Sequence, residues 1–283
     1  IPSYNEANGI LAVLQELFEA IDGLEPAIPV EVIVVDDGSS DETAAVAEGY
    51  KDDRLRVIRH KENRGYGASI QSGMHVAQHD WITITDADGT YPPKFLGVLL
   101  AKRDEYDMIV GARTGETAQI PLLRRPPKWA LRTLASTLSG QNIPDLNSGF
   151  RVMRKDLLKR FERILPNQFS LTTTITLVLL SSGYKVHYLP IDYLKRTGRS
   201  KIRPIADTLK FLSLIVRTVM YFDPLRVFFP LSLLFFLGSL GVGFGSYTIT
   251  GQLADVTTLV LFVTGVQVLC VGMLADVINR GRL

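Results

Sequence analysis

Cysteine is almost missing from this chain: Cys270 is the single one, and it sits in an apolar run. Neither an intramolecular disulfide nor a cysteine-based metal cluster can be built from it. Histidine is also scarce. His60, His75, His79 and His187 fall at no metal-ligand spacing, although His75 and His79 share a helix face at i and i+4. Charge of one sign is not in excess, since the formal net charge is only +2. The chain is therefore no polycation built for nucleic acid, and no nucleic-acid partner is expected. There is no Walker A sequence, no internal repeat and no low-complexity segment. Ile1 is not Met, and no basic stretch with an apolar run precedes it, so no signal peptide is expected. With 21% charged and 46% hydrophobic residues, the 283-residue composition is globular rather than disordered. That length suffices for one large α/β domain or two small ones.

One further absence is regional. Charge is spread evenly up to Arg226, but Val227 to Ala254 contains none, and after Asp255 neither does Val256 to Ala275. A bilayer core about 30 Å thick needs about 20 apolar residues in helix, and both runs are long enough. They carry Gly238, Gly241, Gly243, Gly245, Gly265 and Gly272, as is common where membrane helices pack closely. A buried hairpin in a soluble core is the alternative. Arg217 and Arg226 precede the first run, Arg280 and Arg282 follow the second, and the loop between them has no Lys or Arg. The positive-inside rule then places both ends and the large N-terminal part in the cytoplasm.

That N-terminal part alternates strand and helix signals. Val30–Val35 reads as a buried parallel strand ending at Asp36-Asp37-Gly38, with Ser40 or Asp41 placed to cap a helix running to Tyr50. Leu55–Arg59 is a strand and Tyr66–His79 a helix. Trp81–Thr85 is a strand ending at Asp86-Ala87-Asp88, a helix starts at Pro92-Pro93, and Met108–Val110 is again strand. Thr114–Leu123 reads as loop, Pro126–Leu138 and Leu171–Ser182 as helices, and Lys185–Pro190 as strand. This order predicts an α/β, doubly wound, Rossmann-like sheet, whose ligands lie beyond the carboxyl ends of the strands. Both acidic clusters fall there. Ile205–Tyr221 keeps Ile205, Leu209, Leu212, Ile215, Val216 and Val219 apart from Lys210 and Arg217. Such a helix either lies on a membrane face or packs on the core. Trp81 and Trp129 read as core or interface anchors.

Asp86 and Asp88, one residue apart past a strand end, can share a hard divalent cation of the kind that bridges phosphate oxygens. The bland reading is a solvated turn. Asp36 and Asp37 can accept hydrogen bonds from a base or a ribose, or can simply be turn formers. Gly65-Tyr66-Gly67 resembles half a dinucleotide fingerprint, but it lacks the third glycine and an immediately preceding strand.

Taken in order, Ile1-Pro2-Ser3-Tyr4-Asn5-Glu6, Val34-Val35-Asp36-Asp37-Gly38-Ser39-Ser40-Asp41, Asn63-Arg64-Gly65-Tyr66-Gly67 and Asp86-Ala87-Asp88-Gly89 resemble the motifs of family 2 glycosyltransferases with a GT-A fold. Three more segments are Gly111-Ala112-Arg113, Asp145-Leu146-Asn147-Ser148-Gly149-Phe150-Arg151 and Arg196-Thr197-Gly198-Arg199-Ser200-Lys201. They resemble the polyprenyl-phosphate glycosyltransferases, which include dolichyl-phosphate mannose synthases and related glucosyltransferases. The resemblance covers roughly residues 1–225, and a two-span C-terminal anchor also occurs in that group.

The resemblance implies a cytoplasmic GT-A catalytic domain over 1–203, an amphipathic interface helix over 204–225, and an anchor over 226–283 with spans near 227–249 and 256–278. Pro2, Tyr4, Glu6 and Asp37 would line the nucleoside pocket. Asp86, Ala87 and Asp88 would face the diphosphate, with Asp86 and Asp88 holding Mg²⁺ or Mn²⁺. Many relatives continue this motif with Leu-Gln, and that Gln helps to hold the metal. Here Gly89-Thr90 follows, leaving the Thr90 hydroxyl in its place. Arg113 resembles an arginine near the acceptor phosphate, and Arg196 and Lys201 resemble basic residues that close over the donor. Arg124, Arg125, Lys128, Arg132 and Arg151 lie between the metal motif and the apolar runs, where arginine forks suit phosphate oxygens. Of these, Arg113, Arg125 and Arg132 are the strongest candidates for the acceptor phosphate and catalysis, with Lys128 and Arg151 beside them. Asp145 is the carboxylate placed to orient acceptor or sugar.

The expected reaction is inverting transfer of mannose or glucose from GDP-mannose or UDP-glucose to a polyprenyl phosphate at the bilayer. A phosphate monoester, with a second pKa of about 6, is already an anionic nucleophile and needs no protein base. Tetramers occur among two-span relatives, so a homo-oligomer is expected by resemblance. The alternatives are a processive polysaccharide synthase, whose Gln-X-X-Arg-Trp motif is missing here, and a non-catalytic module that binds the lipid carrier.

Overall fold

The β-branched run before the first acidic cluster folds as the buried strand β2, Val32–Asp36, in keeping with the preference of such side chains for a pleated, packed surface. In the computed structural model, β2 pairs in parallel with β1 (Pro2–Ser3) on one side and β3 (Leu55–Arg59) on the other. The structure describes residues 1–114, 132–137, 139–168, 170–194, 204–252 and 254–280. Within them the chain divides into two units, Ile1–Leu212 and Ser213–Leu283.

The sheet departs from a single doubly wound one. A second, four-stranded sheet has the order β4-β6-β5-β7, built from β4 (Trp81–Ile84), β5 (Met108–Ala112), β6 (Arg151–Arg154) and β7 (Val186–Pro190). β6 runs antiparallel to both β4 and β5, whereas β5 and β7 are parallel. The βα alternation stops after β5, and the chain after the Asp145–Phe150 segment returns as β6 inside the sheet. Nothing in the short, twice-basic Arg151-Val-Met-Arg154 run signalled a central strand.

Helices cover these sheets. α1 (Ile10–Asp22) was not anticipated, yet it buries Ile10, Val13, Leu14, Leu17, Phe18 and Ile21 at helical spacing. All of these but Val13 join Val32, Val34, Leu99, Ile109, Phe150 and Val152 in one core. α2 (Thr43–Gly49) and α3 (Tyr66–Val76) follow the expected helices at shorter length. The proline pair opens a 3-10 turn, Pro93–Phe95, before α4 (Leu96–Leu100). Helices Lys155–Phe161 and Leu171–Ser181 complete this unit. The Leu171–Ser181 helix is buried almost throughout, including Thr172, Thr173, Thr174 and Thr176. Thr114 is the one residue of the expected Thr114–Leu123 loop that is described, and residues 132–137 are the helical part seen of the Pro126–Leu138 expectation.

The helix expected over Ile205–Tyr221 spans Pro204–Phe222. Where its side chains are described, Ile215 and Val219 are buried while Leu212 and Tyr221 are exposed. Helices Leu225–Thr250 and Asp255–Arg280 follow. Each is long and apolar enough to cross a membrane. The apolar surface they present speaks against a buried hairpin in a soluble core: Leu234 is 68% exposed, Phe244 74% and Val277 67%. The two helices pack on each other, and the Ser239 hydroxyl donates to the Thr258 carbonyl at 2.8 Å. The glycines explain only part of that packing. Gly272 lies against Phe228, but a side chain at Gly241 or Gly245 would meet nothing within 4 Å among the described residues.

Candidate active site

Both acidic clusters emerge at the carboxyl ends of strands, as their positions predicted. At the end of β2, the Asp37 carboxylate is buried. Its Oδ1 accepts the Arg64 backbone N–H at 2.9 Å and its Oδ2 that of Gly65 at 2.8 Å. The His60 ring Nδ1 lies 2.7 Å from Oδ1, and the His60 Nε2 lies 2.9 Å from the Ser72 hydroxyl. Asp37 thus ties down the Asn63–Gly67 segment. Pro2, Tyr4 and Glu6 lie on or just after β1, half-buried, and the Glu6 N–H donates to the Thr43 hydroxyl at 2.8 Å. Asp41 accepts the N–H groups of Ala7 and Thr43. Slight burial pushes its carboxyl up, but these bonds and the Thr43 hydroxyl outweigh that and hold it below its ordinary range.

The Asn63–Gly67 segment then reaches the second cluster. Two residues beyond the Arg64 N–H, the Tyr66 hydroxyl donates to Asp86 Oδ1 at 3.0 Å. Burial, and after it the Asp86 charge, pushes the Tyr66 phenol well above its ordinary range, so it stays a donor. The glycines around it have a packing reason. A Cβ on Gly67 would fall 2.1 Å from the Pro166 carbonyl oxygen, and Ala68 N–H donates to the Asn167 carbonyl at 2.9 Å. This is not a dinucleotide turn.

Asp88 is buried, and its Oδ1 accepts both the backbone N–H of Thr90 at 3.1 Å and the Thr90 hydroxyl at 2.6 Å. The Thr90 hydroxyl is thus engaged as a donor to Asp88. Ala87 is buried between the two carboxylates in sequence. Asp86 and Asp88 offer only carboxylate oxygens, which suit a hard cation such as Mg²⁺ or Mn²⁺. No third His, Cys, Asp or Glu among the described residues joins them to make a metal cluster. A cation at this pair would take its other oxygens from a diphosphate or water. The donor set fits such an ion.

The acceptor-side motif sits at the end of β5. Arg113 forms a fork with Asp145: Nε to Oδ2 at 2.7 Å and Nη2 to Oδ1 at 2.8 Å. The Arg113 backbone N–H also donates to Oδ2 at 3.0 Å, and Nη2 donates to Asn147 Oδ1 at 2.8 Å. Asp145 is fully buried, while the Arg113 side chain keeps 17% of its surface. Its Nη1 donates to none of the described residues. Burial penalises the Arg113 charge, but Tyr91 and Asp145 more than offset this and hold the guanidinium well above its ordinary range. The Arg113 guanidinium also lies over the Tyr193 ring at 5.3 Å, and Tyr193 meets Tyr91 edge-on at 5.4 Å.

Tyr91 is the wall shared by the two carboxylate-bearing segments. Its hydroxyl accepts the Gly149 N–H at 2.7 Å. Burial and the neighbouring Asp86 and Asp145 charges push its phenol up, against the pull of Arg113. The backbone N–H of Leu194 donates to the Thr90 carbonyl at 3.0 Å, which sets Leu194 beside the Asp86–Thr90 loop. Tyr66, Asn147 and Gly149 stand inside the motifs but carry no role legible from sequence, and neither Tyr91 nor Tyr193 stands out there. A polar aromatic beside a strand-end carboxylate was the available signal.

Arg151 is a correction. Expected at the acceptor phosphate, it is instead fully buried. Its Nε and Nη2 donate to the Ser148 carbonyl, and its Nη1 donates to the Thr172 carbonyl and the Thr176 hydroxyl, both at 3.0 Å. A guanidinium with no exposed surface, committed to carbonyls, braces the Ser148 turn and does not meet a phosphate. Arg132 is exposed on the helical segment 132–137. Arg124, Arg125, Lys128, Arg196 and Lys201 lie outside the described residues, as does Trp129.

A cleft of about 680 Å³ opens at the other end of the second sheet, beside Trp81, Tyr106, Asp107 and Lys185. Its Arg154 pairs with Asp107 at 3.1 Å and with Asp156 at 2.6 Å. Lying at the start of β4, β5 and β7, it is remote from the strand-end carboxylates.

Comparison with known proteins bears on this geometry. The family described as Glycosyl transferase family 2 matches residues 1–161. This chain belongs to glycosyl transferase family 2. The description GtrB C-terminal hairpin matches residues 223–280 of the same chain. A dolichyl-phosphate hexose transferase of Haloferax volcanii is 32% identical over 209 residues, 72% of this chain and 85% of that protein. An undecaprenyl-phosphate mannosyltransferase of Micrococcus luteus is 26% identical over 213 residues, 71% and 85% of the two chains. Among solved structures, glucosyl-3-phosphoglycerate synthase from Mycobacterium tuberculosis, in complex with Mn²⁺, UDP and phosphoglyceric acid, superposes with a TM-score of 0.62. It is 16% identical and covers 77% of this chain and 76% of its own, a likeness of fold. This family 2 enzyme is thus a glycosyltransferase with a GT-A-type catalytic unit, followed by an apolar helical hairpin.

Proposed function

We propose that this family 2 enzyme transfers a hexose, with inversion at the anomeric carbon, from a nucleotide-sugar to a polyprenyl phosphate at the cytoplasmic face of a membrane. The observation that carries the reading is the chain of contacts from Asp86 to Arg113: Gly149 lies against the Asp86 carboxylate and donates to Tyr91, which meets the Tyr193 ring that Arg113 covers. One side holds a diphosphate, and the other holds a second phosphate. The names of the Haloferax and Micrococcus relatives, both transferases to polyprenyl phosphates, support the same acceptor.

Asp86 and Asp88 are the residues that would hold Mg²⁺ or Mn²⁺. A divalent cation bound there supplies positive charge against the departing diphosphate. Arg113 offers Nη1, which donates to none of the described residues, to the acceptor phosphate, while Asp145 and Asn147 fix the plane of its guanidinium. Asp145 is buried and occupied by Arg113, so it acts on the acceptor through that arginine. A phosphate with a second pKa of about 6 is already anionic at neutral pH, so no side chain need remove a proton. Arg132, Arg125 and Lys128 extend the basic surface for the acceptor, and Arg196 and Lys201 close over the donor. Pro2, Tyr4, Glu6 and the Asp37 loop enclose the nucleoside, from GDP-mannose or UDP-glucose.

The two long apolar helices anchor the enzyme, with residues 1–203 catalytic, 204–225 at the interface and 226–283 the anchor, spanning near 227–249 and 256–278. Basic residues flanking the spans set both ends in the cytoplasm. The test is transfer from radiolabelled GDP-mannose and UDP-glucose to a polyprenyl phosphate in detergent, with Mn²⁺, Mg²⁺ or EDTA. One acid-labile labelled lipid that disappears in EDTA is the expected product. Nucleotide binding without lipid product from either donor would remove polyprenyl phosphate as acceptor.

A further inference from the structure

The Asp86 carboxylate is held by groups that are neither substrate contacts nor metal ligands. On one side, the Tyr66 hydroxyl donates to Oδ1 at 3.0 Å. On the other, the backbone of Gly149 comes so close that a Cβ there would lie 2.8 Å from Oδ2 and 2.9 Å from Oδ1. Only glycine leaves the carboxylate where it is.

Neither support is free to move. Tyr66 follows Arg64 and Gly65, whose N–H groups are locked on Asp37, and its neighbour Gly67 abuts the Pro166 carbonyl. Gly149 donates its N–H to Tyr91, and the preceding Ser148 hydroxyl donates to the Gly111 carbonyl at 2.6 Å. The Ser148 carbonyl is gripped in turn by the buried Arg151 guanidinium. The shelf under Asp86 is thus continuous with the segment that carries Asp145 and Asn147 toward Arg113.

We propose that Tyr66 and Gly149 are positioning residues of the cation site, confining the Asp86 carboxylate to one orientation so that divalent-cation affinity depends on them. The inference rests on the reading of Asp86 and Asp88 as the cation-holding pair. Groups that orient a metal ligand from behind are typically worth about 10–100-fold in metal affinity. Tyr66→Phe keeps the ring and removes only the donor. Gly149→Ala pushes a methyl group into the carboxylate.

The experiment is Mn²⁺ titration of the full chain in detergent, with saturating UDP and separately with saturating GDP, followed by the electron paramagnetic resonance signal of free Mn²⁺. Expected is Mn²⁺ binding by the unsubstituted protein, weaker by about tenfold in Tyr66→Phe and by more in Gly149→Ala. Excess Mn²⁺ should restore turnover of Tyr66→Phe, which a general packing defect would not allow. Unchanged Mn²⁺ affinity in Tyr66→Phe, whatever the fate of Gly149→Ala, overturns the positioning role alone. No Mn²⁺ binding by the unsubstituted protein with either nucleotide overturns the cation reading of Asp86 and Asp88, and this inference with it.

Discussion

The loop after β2 and the loop after β4 both present aspartates at a strand end, yet their hydrogen bonds come from different distances along the chain. Asp37 accepts backbone N–H groups 27 and 28 residues further on. Asp88 Oδ1 accepts two bonds from Thr90, two residues away. A carboxylate that receives remote backbone donors holds two parts of the fold together. A bond made within one turn joins no distant segments, so its loss costs the fold less. The same residue type in the same topological place therefore does different work, and the difference lies in which donors the fold brings to it.

Three substitutions sharpen or break that contrast. The largest effect is expected from Asp88→Asn, with turnover lower by about 10²–10³-fold, the scale of losing a charge-stabilising group in a reaction centre. Its thermal unfolding midpoint should stay near that of the unsubstituted enzyme. Near-normal turnover would remove Asp88 from the chemistry, and a collapsed midpoint would abolish the contrast.

Asp37→Ala should do the reverse in stability. It strands the Arg64 and Gly65 N–H groups and the His60 ring, and each buried donor left unpaired costs about 1–3 kcal/mol. Thermal or denaturant unfolding in detergent would register a loss of about 3 kcal/mol. An unshifted transition would mean that the Asn63–Gly67 segment is held by other groups.

The smallest effect belongs to Arg113→Lys. The charge beside Asp145 is kept, so the buried carboxylate is not left uncompensated. The planar fork is lost. Transfer to the acceptor is expected to slow by about 10–100-fold, while UDP or GDP binding by calorimetry changes by less than about twofold. Equal losses in both would move Arg113 from the acceptor phosphate to the donor.

Much of this was legible in the residues. Val32–Asp36, Tyr66–Val76 and the two apolar helices announce themselves by β-branched runs, helical periodicity and the absence of charge. α1 is equally legible from Ile10, Leu14, Leu17 and Phe18 at helical spacing. β6 was not readable. Its Arg151 occupies a fully buried position that hydrophobic patterning reserves for apolar side chains, and only the Ser148 and Thr172 carbonyls make that burial tolerable.

The sequence by itself determined the local and the additive: where strands end, where carboxylates and arginines stand in the order of the family, and which stretch is apolar enough to leave water. Those follow from short-range geometry and composition, which a single chain carries in full. The tertiary structure alone decided the pairings. It gave Asp37 to the Asn63–Gly67 backbone, Asp145 to Arg113, Arg151 to carbonyls instead of a phosphate, and Gly149 to the underside of Asp86. Hydrogen bonds and close contacts act over only a few ångströms, so which groups satisfy one another is settled when folding brings distant segments together.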